Sequence, residues 1–196
     1  MREPNDKRVI AFVDGQNLFY AVKNAFGYDF PNYDPVKLAK MVCEQQIQWN
    51  LIKVYFYTGV PSVNHDSPKH KFWTAKLASM GKNKQLVQIF TRPLVYHQGV
   101  GREKGIDIRL ALDVMRLTHE IAYDVALIFS QDQDFTEVAS EIRHIAINQH
   151  RWIKVACAYP VSPYYDNNRG IQNTDWIRID KTLYDQTIDT TNYRFP

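Results

Sequence analysis

Arg8-Val9-Ile10-Ala11-Phe12-Val13-Asp14-Gly15 starts as an unbroken apolar run and stops at an Asp-Gly pair. A half-exposed strand would alternate apolar with polar residues, so this run reads as a strand buried on both faces, as in a parallel sheet. Asn17 to Gly27 follows with Leu18, Ala21, Val22 and Ala25 at helical spacing, Asn17 as the expected N-cap and Gly27 as the stop. A second helix is expected from Asp34-Pro35 through Leu38, Met41 and Val42 toward Ile47, with proline in its favoured first turn.

The same alternation continues along the chain. Leu51 to Val60 reads as a strand, Ser67 to Met80 as a helix closed by Gly81, Leu86 to Phe90 as a strand, and Leu94 to Glu103 as a loop or hairpin. Gly105 to Thr118 is helical and apolar on most sides, which predicts burial between other elements. Val125 to Ser130 is a further buried strand, residues 134–147 a helix with Phe135, Val138, Ile142 and Ile145 on one stripe, and Trp152 to Ala158 another strand. Near-continuous apolar strands separated by helices predict an α/β fold, a three-layer α/β/α sandwich with a mainly parallel central sheet.

The chain has 196 residues, 45% of them hydrophobic and 23% charged, which excludes a collagen-like, low-complexity or wholly disordered protein. One domain over residues 8–158 is expected, with a short extension at 1–7. A C-terminal extension at 159–196, rich in Asn, Asp, Tyr and Thr, carries a candidate edge strand at 176–180, and its last dozen residues are expected to be loose. No window approaches the roughly 18 apolar residues of a membrane span, and Met1 is followed by Arg2, Glu3 and Pro4, so a soluble, cytoplasmic protein is expected. Cys43 and Cys157 sit in apolar stretches without zinc-site spacing and read as free, buried thiols.

Charge is segregated along the chain. Residues 65–104 hold eight basic residues against the acidic pair Asp66 and Glu103, whereas residues 105–141 hold eight acidic residues against Arg109 and Arg116. Such a division suits a polyanion held by lysine and arginine while its phosphate meets carboxylates; two solvated helix faces are the plainer explanation.

The carboxylates give independent support, because ligands of open parallel sheets bind beyond the carboxyl ends of the strands. Asp14 directly follows one predicted strand, Asp132 follows another, and Asp107 lies in the first turn of a helix that begins at the same rim. Asp134 with Glu137 also fits a capping box, and Asp113 falls on the apolar stripe of its helix, either as a functional carboxylate or as a hydrogen-bonded core group. Two carboxylates about 4 Å apart repel by roughly 4 kcal/mol at an effective dielectric of about 20, so a cluster calls for a cation. All-oxygen ligands select magnesium or manganese rather than zinc.

Val13 to Asn17 (VDGQN), Lys104 to Asp113 (KGIDIRLALD) and Ser130 to Phe135 (SQDQDF), in that order and spacing, resemble the three motifs of the NYN domain family, specifically its LabA-like (DUF88) branch within the PIN-like nucleases. The resemblance covers residues 8–158. It implies a PIN-like sandwich and a Mg2+- or Mn2+-dependent ribonuclease in which Asp14, Asp107, Asp132 and Asp134 ligate the metal. It further implies Asn17 as a residue orienting phosphate or water, Lys104 as a phosphate contact, Ser130 as a supporting hydroxyl and Asp113 as an accessory carboxylate. The chain departs from the family at Gln131, where glycine is usual.

The basic segment, with Arg102, Arg92, Lys69 and Lys71 beside Lys104, is interleaved with Phe72, Trp73, Phe90 and Tyr96, offering rings for unpaired bases. Single-stranded RNA is the expected partner; a homodimer is compatible with the sequence, and no membrane is involved. The competing expectation is an NYN domain that binds RNA or protein without cleaving. A haloacid-dehalogenase-type phosphatase would need an aspartate where Gln16 stands, and a phosphate-receiver domain would need one at the end of the VYFYTG strand.

Overall fold

The computed structural model describes residues 1–193. Strand β1 (Lys7–Asp14) is the centre of the molecule, and the apolar run that defines it is almost wholly buried. It leads into α1 (Gly15–Phe26) and α2 (Pro35–Glu44), then β2 (Trp49–Val60), α3 (Ser67–Met80) and β3 (Val87–Pro93). A short hairpin, β4 (Val95–His97) with β5 (Val100–Arg102), precedes α4 (Ile106–His119), β6 (Val125–Phe129), α5 (Phe135–Asn148), β7 (Lys154–Pro160), β8 (Asp175–Ile179) and α6 (Lys181–Asp185). The candidate edge strand at 176–180 is thus β8, parallel to β7.

Six parallel strands lie in the order β3-β2-β1-β6-β7-β8. Alternate residues of β1 face opposite layers. Val9, Ala11 and Val13 pack with Leu18, Leu38, Phe56 and Trp73 on one side, while Ile10 and Phe12 pack with Leu110, Val114, Phe135 and Ile142 on the other. The result is the expected three-layer sandwich. From β1 the chain builds outward in one direction through β2 and β3, then returns to β6 and builds in the other direction. The strand order therefore reverses between β1 and β6, and a crevice opens there beyond their carboxyl ends.

Several local expectations need correction. The cap of α1 is Asp14, whose Oδ1 accepts from the Asn17 backbone N–H at 3.1 Å, so Asn17 is left to act elsewhere. Helix α2 stops at Glu44, and Ile47 is exposed. Helix α4 is not enclosed, since Ile108 and Leu112 are each about 60% exposed: the sheet and α5 cover only one flank of it. Cys43 and Cys157 are free and buried.

The C-terminal segment is pinned as far as it is described. Thr187 O accepts from Asp34 N at 2.8 Å, Asp189 N donates to Asn32 O at 2.8 Å, and Tyr193 is buried against Phe72. The anchor is Lys76, 1% exposed, whose Nζ donates to Tyr33 O at 2.8 Å and pairs with Asp189 at 3.6 Å. Lys76 therefore belongs to the core and not to the basic surface its sequence neighbours form. Lys76→Met would leave the Tyr33 carbonyl without the Lys76 donor and Asp189 without its cation, though Asp189 keeps the Thr191 N–H and the Tyr193 hydroxyl. It is expected to cost about 2–3 kcal/mol and to expose the segment after α6 to protease. An unchanged melting temperature and cleavage pattern would show that this lysine does not pin the tail.

Candidate functional site

At the crevice between β1 and β6 lies an open pocket of about 590 Å³ whose lining includes Asp14, Asn17, Glu103, Lys104, Asp107 and Asp132. Parallel pairing of β1 with β6 sets Val13 beside Phe129, so the next residues of the two strands, Asp14 and Ser130, meet at the rim. The Ser130 hydroxyl donates to Asp14 Oδ2 at 3.3 Å and accepts from the Asp132 backbone N–H at 3.2 Å. Asn17, freed from capping, accepts at Oδ1 from the Gln131 backbone N–H at 2.9 Å. The ends of the two strands, far apart in sequence, are thereby locked to each other by three polar side chains.

Asp107 enters from the first turn of α4, where its charge also suits the helix dipole. Lys104, just before that helix, is exposed on the pocket wall. The sequence reading missed Glu103, counting it only as a minority charge in a basic stretch. Its Oε1 accepts from the Gly59 backbone N–H at the end of β2, and it lines the same pocket. A Cβ on Gly59 would collide with the side chains of Glu103 and Leu94, so glycine at that strand end is what admits the fourth carboxylate. The available signal was position: Glu103 stands only three residues before the start of α4 and so falls at the same rim.

The carboxylates feel one another. Burial is the main cause that pushes Asp14 up to about 6; the bonds from Asn17 and Ser130 oppose it, and the charges of Asp132 and Asp107 add to it. Glu103 is pushed up to about 7, again chiefly by burial, with Asp14 and Asp107 contributing. Both groups resist ionisation in a site with surplus negative charge, a surplus that a cation would relieve.

Other expected site residues lie elsewhere. Asp113 is buried one helical turn and more beyond the rim, where it accepts from Tyr57 Oη at 3.1 Å, Arg109 Nε at 2.9 Å and Arg116 Nη2 at 3.3 Å. It is the hydrogen-bonded core group of the two alternatives. Asp134 is exposed and outside the pocket lining; its side chain makes no capping bond, and its backbone N–H instead donates to Asp132 Oδ1 at 3.0 Å. Of the basic residues, Lys69 is paired with Asp66 at 2.9 Å, while Lys71, Arg92 and Arg102 are exposed and line no part of this pocket.

Gln131 has a visible role. Its Nε2 donates to Asn167 O at 3.0 Å and Arg169 O at 2.9 Å, and Gln133 Nε2 donates to Gly170 O at 3.1 Å. The connection between β7 and β8 is thereby drawn over the rim, where Tyr165 and Asn167 form part of the pocket wall. A glycine at 131 could not hold it there.

Among the described residues, no three His, Cys, Asp or Glu side chains stand close enough to grip one ion directly. The donors facing the pocket are nonetheless all oxygen, and their number suits a hard divalent ion held by one or two carboxylates with water completing its shell. Magnesium and manganese fit that donor set, and the pocket lining has none of the His or Cys ligands that zinc prefers.

Comparisons with known proteins agree with the fold. A crystal structure of a protein of unknown function from Vibrio parahaemolyticus superimposes with a TM-score of 0.55 and 17% identity, covering 92% of this chain and 98% of that one. No curated protein matches significantly. No helix among the described residues is long and apolar enough to cross a membrane. The model of the NYN domain matches residues 8–172, spanning every residue of the pocket, and the chain therefore belongs to the NYN domain family.

Proposed function

We propose that this protein is a metal-dependent ribonuclease that hydrolyses phosphodiester bonds of single-stranded RNA. The observation that carries the reading is the convergence of Asp14, Glu103, Asp107 and Asp132 on one open pocket at the point where the strand order reverses, in a chain of the NYN family. The order and spacing of the three motifs support placing it in the LabA-like branch of the PIN-like nucleases. Two buried free thiols suit a reducing, cytoplasmic setting.

The residues divide the work. Asp14, whose carboxylate accepts from Ser130, and Asp132, whose carboxylate accepts from the Asp134 backbone N–H, are the groups best fixed to hold Mg2+ or Mn2+, with Asp107 and Glu103 completing the negative wall. A divalent ion bound there supplies an activated water for attack on phosphorus and offsets the charge that develops. Asn17 keeps the β1 and β6 ends in register through its bond to Gln131. Lys104 brings a cation to the same wall, where it draws a phosphate toward carboxylates that would otherwise repel it.

A single assay tests this. The wild-type protein should cut single-stranded RNA when Mn2+ is present and leave it intact in EDTA; intact RNA under both conditions would overturn the reading. Because phosphate contacts release counterions, the rate at subsaturating RNA should fall by roughly tenfold between about 50 and 200 mM salt. A rate indifferent to salt would remove Lys104 and its basic neighbours from the binding surface. The second reading, an NYN domain that binds RNA or a protein without cutting, is favoured by the lack of a three-ligand group among the described residues. Metal-independent RNA binding without cleavage is its signature.

A further inference from the structure

Beside the carboxylate pocket runs a second, larger cavity of about 770 Å³. Its walls are α1 at Phe19 and Tyr20, α3 at Phe72 and Trp73, and the β4–β5 hairpin at Tyr96. The hairpin is a two-stranded sheet of its own, a unit that is marginal in isolation. His65, in the loop before α3, lies flat on the Tyr96 ring, with centroids 3.7 Å apart and planes within 10°. The Ser62 hydroxyl bonds to His65 Nδ1 at 2.7 Å and helps set the angle of that ring. Phe72 and Trp73 are mostly built into the core and offer the cavity little exposed surface, whereas Tyr20 is half exposed.

Two features say what such a groove takes. The first is continuity, because Gln16, Tyr20 and Glu103 line both cavities and a strand whose phosphate meets the carboxylates has its neighbouring nucleoside at the groove mouth. The second is composition: flat rings mixed with polar groups such as Gln16 and Thr58, with Lys69 at the rim in its pair with Asp66. Nucleobases combine a ring face with hydrogen-bonding edges on a polyanionic chain. A base paired and stacked inside a duplex cannot turn its face into a groove between a helix and a hairpin, so the strand must be single.

We propose that this groove is the base-binding subsite for single-stranded RNA, taking unstacked nucleobases that flank the phosphate at the carboxylate pocket. The proposal rests on the pocket being the phosphate site, and the experiment separates the two. Binding is measured in EDTA, where no strand is cut, with a short fluorescent single-stranded RNA and an abasic oligomer of equal length and charge. The wild-type protein should bind the RNA at least about fivefold more tightly than the abasic strand. Tyr96→Ala should erase that preference and Tyr96→Phe, which keeps the ring, should retain it. His65→Ala, at an exposed loop position, gives a second variant with the same expected loss should Tyr96→Ala fail to fold.

Equal affinity of the wild-type protein for both strands, or a preference that survives in folded Tyr96→Ala and His65→Ala, overturns the groove. So does failure to bind either strand, which would leave the cavity to a protein or small molecule. Manganese-dependent cleavage without base preference refutes the groove and leaves the nuclease reading; base preference without cleavage does the reverse.

Discussion

Asp14→Asn should lower manganese-dependent cleavage of single-stranded RNA by about a thousandfold or more, corresponding to roughly 4 kcal/mol of lost transition-state stabilisation. The substitution removes the charge at the centre of the pocket while preserving the shape. An amide oxygen can still accept from the Asn17 backbone N–H, so the start of α1 keeps its cap. Stability should not fall with activity. The folded-state value of Asp14 lies near 6, above its ordinary 3.8, so the fold binds this proton more tightly than the unfolded chain does. That contribution favours the fold fully below about pH 4 and is lost as the pH rises through 6. At pH 7.5 without metal the wild-type protein carries the cost of a buried ionised group, on the order of 3 kcal/mol, and the asparagine variant does not. Its melting temperature there should equal or exceed that of the wild type. Asp113→Asn supplies the contrast: its carboxylate answers Tyr57, Arg109 and Arg116, so stability should fall and cleavage per folded molecule should persist. Full activity in Asp14→Asn would remove Asp14 from the chemistry.

Gly15→Ala should cost about 1–3 kcal/mol and take activity with it. A Cβ at Gly15 would sit 2.8 Å from the Phe56 ring, 2.8 Å from the Tyr57 carbonyl oxygen and 3.2 Å from Thr58 Cβ. All three neighbours belong to buried β2, the strand paired to β1, and cannot swing aside like the tip of a surface side chain. The chain must pass this close because it turns directly from β1 into α1, leaving Asp14 at the hinge of the turn. Relief of the clash would move Asp14 relative to Ser130, and the hydrogen bond between them is already long at 3.3 Å. For a chain of this size the melting temperature should drop by roughly 2–10 °C. Valine should do worse than alanine. A wild-type melting temperature in Gly15→Ala would show that β1 and α1 have more room than the structure gives them.

What the sequence disclosed and what it withheld follow from the range of the forces involved. Buried parallel strands need apolar side chains on both faces, so β1, β2, β6 and β7 are visible as runs, and the rule that ligands gather at their carboxyl ends picks out Asp14 and Asp132. Asp107 is legible because a helix N-terminus must open at the same rim. Residues whose role depends on a distant backbone group are not legible. Glu103 reaches the pocket only because the hairpin returns to Gly59, and Gln131 becomes intelligible only with the 167–170 carbonyls in place. Asp134 misleads because it shares a motif with Asp132 yet stands where the first turn of α5 carries it out to solvent. Lys76 misleads in the same way: its neighbours in sequence are surface lysines, but its own helix face points into the core.

The claim on which the mechanism stands is that carboxylates from separate elements share one divalent ion at the rim between β1 and β6. Anomalous diffraction from crystals grown with Mn2+ at pH 7.5 tests it most directly. The account predicts one strong manganese peak within about 2.2 Å of a carboxylate oxygen of Asp14 or Asp132, with Asp107 and Glu103 facing its water shell. A saturated crystal with no peak in that pocket, or with manganese bound only elsewhere, would contradict it.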